Sequence, residues 1–279
     1  VIDLALAEDL GEAGDITSLF FIHAESTSRA LVVCREECVF AGGQTAAEVF
    51  RRVDPDLEVR LLARDGEFFA PGRAALEVAG STRSILAAER TALNFVQHLS
   101  GVATLTSRFV RELEGTHARL LDTRKTLPGL RALQKAAVLA GGGTNHRMGL
   151  YDMVMIKDNH LAALGWSTNG LDAALELKAA VAAFRTQHPN VRVEIEADTP
   201  DQAKQFFQIP GIDVVLLDNM PLSALRDCVA VKPAHIELEA SGGVTLETIR
   251  EIALTGVDWI SVGAITRSAP SVDFGLDFL

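Results

Sequence analysis

A chain of 279 residues that is 48% hydrophobic and 23% charged holds enough apolar material for one large or two modest folded domains, which excludes intrinsic disorder. Its 22 Gly and 9 Pro follow no period, which excludes collagen-like repeats, and no run of about 18 uncharged apolar residues predicts a transmembrane helix. The net charge of −11 argues against nucleic acid or an anionic membrane as the principal partner.

In chain order, the acidic opening VIDLALAEDLGEAGD lacks a basic n-region and does not read as a signal peptide. RALVVCRE (29–36) is a predicted strand, GQTAAEVFRRV (43–53) a helix, and LEVRLLA (57–63) and AALEVAG (74–80) strands separated by Pro71-Gly72. A long helical pattern follows from Ser84 to about Glu114. These residues predict a small α+β domain over 1–115. From there strand and helix alternate. Predicted strands are ARLLD (118–122), DMVMIK (152–157), VRVEIEA (191–197), DVVLLD (213–218), HIELEA (235–240) and DWISVG (258–263). Predicted helices lie near 129–140, 170–187, 200–208, 221–231 and 245–255. This alternation is the mark of parallel βα units, and both an α/β barrel and an open doubly wound sheet satisfy it.

The charge is uneven. Residues 83–158 hold 11 Lys/Arg against 6 Asp/Glu, a local charge of +5 in an acidic protein. Such a centre suits a small anionic ligand, although single basic residues usually lie on solvated helix faces. The three cysteines are an odd, low count. Cys34 and Cys38 are spaced C-x3-C with no second Cys/His pair at zinc-finger spacing. Reduced thiols and a cytoplasmic location are the expectation.

The strand ends carry the chemistry. ARLLD runs into Arg124 and Lys125; DMVMIK ends in Lys157; VRVEIEA carries Glu196; DVVLLD ends in Asp218. HIELEA is followed by Ser241-Gly242-Gly243, and DWISVG ends in Gly263. In α/β barrels and open sheets the active site lies at the C-terminal ends of the strands, so these groups are delivered to one face. The Ser241-Gly242-Gly243 turn, read as opening a helix from Thr245, can aim backbone N–H groups at a phosphate. Arg124-Lys125 and His146-Arg147 are dibasic pairs suited to carboxylates or phosphates. Lys157 suits either a Schiff base or an anion. Glu196 and Asp218 suit Mg²⁺, sugar hydroxyls or a cationic transition state.

The stretches DTRKTLPGLRALQKAAV (122–138), GGGTNHRMGLYDMVMIKDNH (141–160), VEIEADT (193–199), VVLLDNM (214–220), ELEASGGV (237–244) and ISVGAIT (260–266) resemble the successive signatures of quinolinate phosphoribosyltransferases. EDLGEAGDITS (8–18) and ERTALNFVQHLSGVAT (89–104) resemble the N-terminal motifs of the same family. The resemblance implies an N-terminal α+β sandwich domain (1–115), an open, incomplete α/β barrel (116–266) and a C-terminal segment (267–279) returning to the first domain. It implies transfer of phosphoribosyl from phosphoribosyl pyrophosphate to quinolinate with decarboxylation, Mg²⁺ as cofactor, and a homodimer or larger homo-oligomer with shared active sites. Residue by residue, Arg90 would enter the partner's site, and Arg124, His146, Arg147 and Lys157 would hold the quinolinate carboxylates. Lys125 would touch both substrates, with Lys125, Glu196 and Asp218 as the catalytic set. Glu196 and Asp218 would face the ribose and Mg²⁺, and Ser241, Gly242, Gly243 and Gly263 would cradle the 5′-phosphate. Arg267 departs from the His or Lys of many relatives. Rival readings are a phosphoribosyltransferase of the same fold with another substrate, a Schiff-base aldolase using Lys157, and a non-catalytic anion-binding barrel.

Overall fold

The computed structural model describes residues 1–166 and 170–279, with side chains over 1–166 and 173–279. Two compact units result: Val1–Arg108 with Lys125–Gly143 and Ala264–Leu279, and Phe109–Arg124 with Thr144–Gly263. The predicted division at residue 115 follows chain order, whereas the units interleave. The segment Lys125–Gly143, predicted in the barrel, clusters with the first unit.

The first unit is built on a four-stranded antiparallel sheet of order β12-β1-β5-β3, with β1 at Thr27–Cys34, β3 at Glu58–Leu61, β5 at Ala74–Ser81 and β12 at Phe274–Phe278. The last strand pairs with the first, Val32 opposite Leu276. A small β2–β4 ladder (Cys38–Val39 with Phe68–Phe69) lies beside it. Helix α3 (Gly43–Val53) buries Ala46, Ala47, Val49 and Phe50, the spacing of one helical face, and ends in Arg51 and Arg52 on the side that favours cations. The core is rich in aromatic and branched side chains, with Phe40 and Phe69 stacked 4.9 Å apart. Two short helices, α1 (Ile2–Leu10) and α2 (Ile16–Phe21), precede this sheet and escaped the sequence reading. Asp15 caps α2 by accepting the N–H groups of Thr17 at 3.1 Å and Ser18 at 3.0 Å. Helix α4 (Thr82–Glu112) is the long predicted helix. Helix α5 (Arg131–Ala140) belongs to the first unit, where Gln134 accepts the Leu127 N–H at 2.9 Å and donates to the Thr266 carbonyl at 2.7 Å.

The second unit is a six-stranded parallel sheet of order β6-β11-β10-β9-β8-β7. Its strands are β6 (Arg119–Leu121), β7 (Val154–Ile156), β8 (Val193–Ala197), β9 (Val214–Asp218), β10 (Glu237–Ser241) and β11 (Trp259–Ser261). Strands β7 to β11 lie side by side in chain order and β6 adds beside β11, with no switch point of the doubly wound kind, and β6 and β7 stay as edges not paired with each other, so the sheet is an open barrel. Helices α6 (Asp158–Ala163) and α7 (Gly170–Gln187) both follow β7, and α8 (Pro200–Phe206), α9 (Leu222–Val231) and α10 (Ile249–Ala253) follow β8, β9 and β10 in turn. The turn after β10 corrects the sequence reading. The helix predicted from Thr245 begins only at Ile249 and is five residues long. Residues 245–248 form a turn that leads into it, with the Thr245 N–H donating to the Thr248 hydroxyl at 2.9 Å and the Thr245 carbonyl accepting the N–H groups of Thr248 at 3.2 Å and Ile249 at 3.0 Å. A phosphate at Ser241-Gly242-Gly243 would therefore meet turn amides rather than a helix terminus. No helix among the described residues is long and apolar enough to cross a membrane.

Candidate active site

The interior of the second unit is organised by the two-residue period of its strands. On β8, Glu194 and Glu196 point to one side; on β10, Glu237, Glu239 and Ser241 do the same. The registers Glu196 opposite Leu216, Leu216 opposite Glu239 and Asp218 opposite Ser241 align these faces. Polar groups therefore share one face of the sheet, and their contacts group them into levels that run diagonally to the register, Glu194 with Glu239.

At the level nearest the strand starts, Glu237 pairs with Arg192 and accepts the indole N–H of Trp259 at 2.9 Å. The middle level is nearly sealed. His146 Nε2 lies 3.1 Å from a carboxylate oxygen of Glu194 and 3.2 Å from one of Glu239, and the three side chains are 7%, 1% and 2% exposed. Burial opposes charge on the imidazole, but the hydrogen bonds and charges of the two glutamates outweigh it and push its pKa up to about 10. Nε2 thus carries a proton towards the two glutamates, while Nδ1 lies 2.7 Å from the backbone nitrogen of Arg147. With a proton on Nε2 between the two carboxylates, no lone pair is left there for a metal. A cavity of about 210 Å³ beside these residues reaches Arg192 and Trp259.

The third level lies at the C-terminal strand ends, where Lys157 at the end of β7 pairs with Glu196. Glu196, Asp198 and Asp218 each place a carboxylate oxygen within 4.8 Å of the others. Oxygen-only donors suit a hard cation such as Mg²⁺, which these residues would hold. After β9, Asn219 turns into the left-handed region at φ 52°, and after β10 Gly242 and Gly243 follow at φ 96° and 60°. Consecutive positive-φ glycines expose backbone N–H groups in a concave turn.

The basic residues arrive on two segments. Thr144 donates to the Leu120 carbonyl at 2.9 Å and bridges Leu121 in parallel. Buried Asp122 accepts the His146 N–H at 2.8 Å. The chain 144–147 is thereby fastened along the end of β6, which leads into Arg124. Arg147 donates to the Met153 carbonyl at 3.2 Å. Its pKa is lowered by burial first and by the positive charge of Arg124 second. Two guanidinium groups that repel each other in a half-buried place favour a bound anion, which relieves both effects.

Of the residues singled out from sequence, the second unit brings together Arg124, Arg147, Lys157, Glu196, Asp218, Ser241, Gly242, Gly243 and Gly263 at its strand ends. His146 is present but turned to the level below, towards the glutamates. Lys125 and Arg90 belong to the first unit; Lys125 is exposed and its carbonyl accepts the Thr266 hydroxyl at 2.9 Å, while Arg90 is exposed on α4. Sequence reasoning placed Glu239 and Asn219 at strand ends but gave no site role to them, nor to Glu194 or Asp198. The alternating acids in VEIEA and HIELEA were the available signal, since a parallel strand covered on both faces normally reads as a continuous apolar run.

Comparison with known proteins places nearly the whole chain. The family model described as Quinolinate phosphoribosyl transferase, N-terminal domain, matches residues 15–100, and that described as its C-terminal domain matches residues 102–277. The chain is 40% identical over 270 residues to a probable carboxylating nicotinate-nucleotide pyrophosphorylase of Bacillus subtilis (strain 168), covering 97% of this chain and 89% of that one. It is 39% identical over 290 residues to the chloroplastic enzyme of that name from Arabidopsis thaliana, covering 99% and 81%. The nicotinate-nucleotide pyrophosphorylase structure from Francisella tularensis superposes with a TM-score of 0.89 at 36% identity, covering 100% of this chain and 94% of that one. On these matches over nearly its whole length, the chain belongs to the quinolinate phosphoribosyl transferase family.

Proposed function

We propose that the protein transfers the phosphoribosyl group of phosphoribosyl pyrophosphate to quinolinate with loss of CO₂, yielding nicotinate mononucleotide and pyrophosphate. The observation that carries this reading is the mutual proximity of Arg124 and Arg147, in the same unit as Lys157 and the Glu196–Asp198–Asp218 carboxylates. The guanidiniums and the ammonium provide for the two carboxylates of a pyridine dicarboxylate, and Arg can grip each one bidentately. Fixing the ring orients its nitrogen towards the sugar carbon, which supplies proximity rather than a covalent enzyme intermediate. The nitrogen forms its bond to that carbon as the bond to pyrophosphate breaks, and positive charge develops on the sugar. Glu196 and Asp218 supply the opposing negative charge. Loss of CO₂ from the ring carbon beside the now cationic nitrogen leaves an electron pair there, which takes up a proton. Mg²⁺, held by Glu196 and Asp218 directly or through water with Asp198 beside them, would neutralise pyrophosphate charge.

Ser241, Gly242, Gly243 and Gly263 are assigned to the 5′-phosphate, and Lys125 to the meeting point of the two substrates. His146 supports the site from the level beneath it while its backbone N–H stays on Asp122. A dimer in which Arg90 of one subunit completes the site of the other accounts for its exposed place on α4. A cytoplasmic location is supported by Cys34, Cys38 and Cys228, all free and buried. The decisive experiment supplies quinolinate, phosphoribosyl pyrophosphate and Mg²⁺ and measures nicotinate mononucleotide and CO₂. Equal catalytic efficiency with nicotinate would remove the specificity assignment; no product from either would remove the reaction.

A further inference from the structure

Asn219 is exposed and stands one residue beyond the end of β9, between two groups assigned to the same substrate. Among the described residues it alone, glycines aside, has a positive φ, at 52°. That conformation is uncommon for a residue with a Cβ, and Asn is among those that tolerate it best. Three contacts show what the conformation achieves. The side-chain amide donates from Nδ2 to Oδ2 of Asp218 at 2.7 Å. The backbone N–H donates to the Ser241 carbonyl at 2.9 Å. The side chain occupies the space above Gly242, where an added Cβ would stand 2.1 Å from the Asn219 Oδ1. One residue thus fixes the rotation of the Asp218 carboxylate and fastens the start of the Ser241-Gly242-Gly243 turn.

We propose that Asn219 is a positioning residue for phosphoribosyl pyrophosphate, setting the spacing between the carboxylate that faces its ribose and the turn that holds its 5′-phosphate. The inference rests on the phosphoribosyl transfer reading above. Glycine would satisfy the backbone conformation alone, so the amide is what needs explaining. A neutral donor satisfies Oδ2 of Asp218 without supplying a counter-ion, so the carboxylate keeps its charge for the sugar. The space left by Gly242 is filled by this amide. The two subsites therefore lie at a distance set by one side chain, and only a ligand that spans both can sense its removal. Quinolinate, assigned to Arg124, Arg147 and Lys157, does not span them.

The test is Asn219→Gly, which keeps the backbone freedom and removes the amide, alongside Asn219→Asp, which keeps the shape and sets a second acid against Asp218. Both are expected to raise the KM for phosphoribosyl pyrophosphate by about 10-fold or more, the scale of one hydrogen bond to a charged group, with the KM for quinolinate changed less than twofold and Tm near wild type. Unchanged KM for phosphoribosyl pyrophosphate in the glycine variant overturns the proposal. So does a rise in both KM values together with a lower Tm, which marks a general structural role. Calorimetric titration of each protein with phosphoribosyl pyrophosphate and Mg²⁺ separates the two readings. A wild-type chain that binds this compound without turnover overturns the reaction, and the ratio of dissociation constants between wild type and Asn219→Gly then decides the positioning role. Absence of binding overturns both.

Discussion

The imidazole Nε2 of His146 lies 3.1 Å from a carboxylate oxygen of Glu194, and both side chains are buried below the level of the strand-end cations. A basic residue that sequence alone places among the substrate contacts thus spends its donor on the protein interior. His146→Ala is expected to leave Glu194 and Glu239 facing each other without a donor between them. Breaking such a buried arrangement costs roughly 3–5 kcal/mol, read as a lowered Tm and denaturation midpoint. Wild-type stability in His146→Ala, with only quinolinate affinity lost, would return His146 to the ligand.

Lys157 is positioned the other way. Lys157 is 41% exposed and pairs with Glu196 at the strand ends. Arg124→Ala and Lys157→Ala are each expected to weaken quinolinate binding by about 1.5–3 kcal/mol or more, while circular dichroism and Tm stay close to wild type. Calorimetric titration with quinolinate checks this, and undiminished affinity in either variant is the contrary result.

Gly101 shows a steric requirement unrelated to substrate. A Cβ at this position would stand 2.0 Å from the Pro270 carbonyl oxygen. Backbone cannot yield as a flexible side chain can, so Gly101→Ala is expected to destabilise the fold by about 1–3 kcal/mol, the range for overpacking. Chemical denaturation would show the shift; a midpoint equal to wild type would mean that residues 270–271 move aside freely.

Cys34 and Cys38 approach to 3.5 Å between sulfurs, both buried, and burial first and the Cys34 neighbour second push the Cys38 thiol well up from its ordinary value. Burial likewise raises Cys228. The thiolate is the reactive form, so the native protein is expected to resist alkylation between pH 7 and about 9, and all three thiols to react once it is unfolded. Mass spectrometry after iodoacetamide distinguishes this from a native chain that labels rapidly at either end of the range.

The assembly assignment is tested by complementation. Inactive Arg90→Ala chains mixed with inactive Arg124→Ala chains, under conditions that exchange subunits, are expected to regain activity. A mixed dimer with shared sites carries one doubly altered site and one intact site. Mixed dimers that form and stay inactive would place Arg90 in its own chain's site.

Local pattern alone determined most of the element order. The α3 boundaries 43–53 and the six strands of the second unit were legible because a helix face or a buried strand leaves its period in adjacent residues. The family motifs carried Arg124, Lys157, Glu196 and Asp218 for the same reason, each lying at a strand end that can be read along the chain. The late start of α10 was not legible, because a turn over 245–248 and a first helical turn share the same local sequence pattern. Nor was the grouping of Lys125–Gly143 with the first unit, since contiguous sequence gives no reason to interleave. Only the tertiary structure decided where the polar interior groups meet. Glu194, Glu239 and His146 come from three segments, and no spacing along the chain records that β8 and β10 flank β9 with these faces aligned. Asn219 is the same case: its neighbour Asp218 is written in the sequence, but its contact with Gly242 exists only because parallel strands end side by side. Sequence fixes which way each side chain alternates, and the lateral order and register of the strands then select which of them share a site.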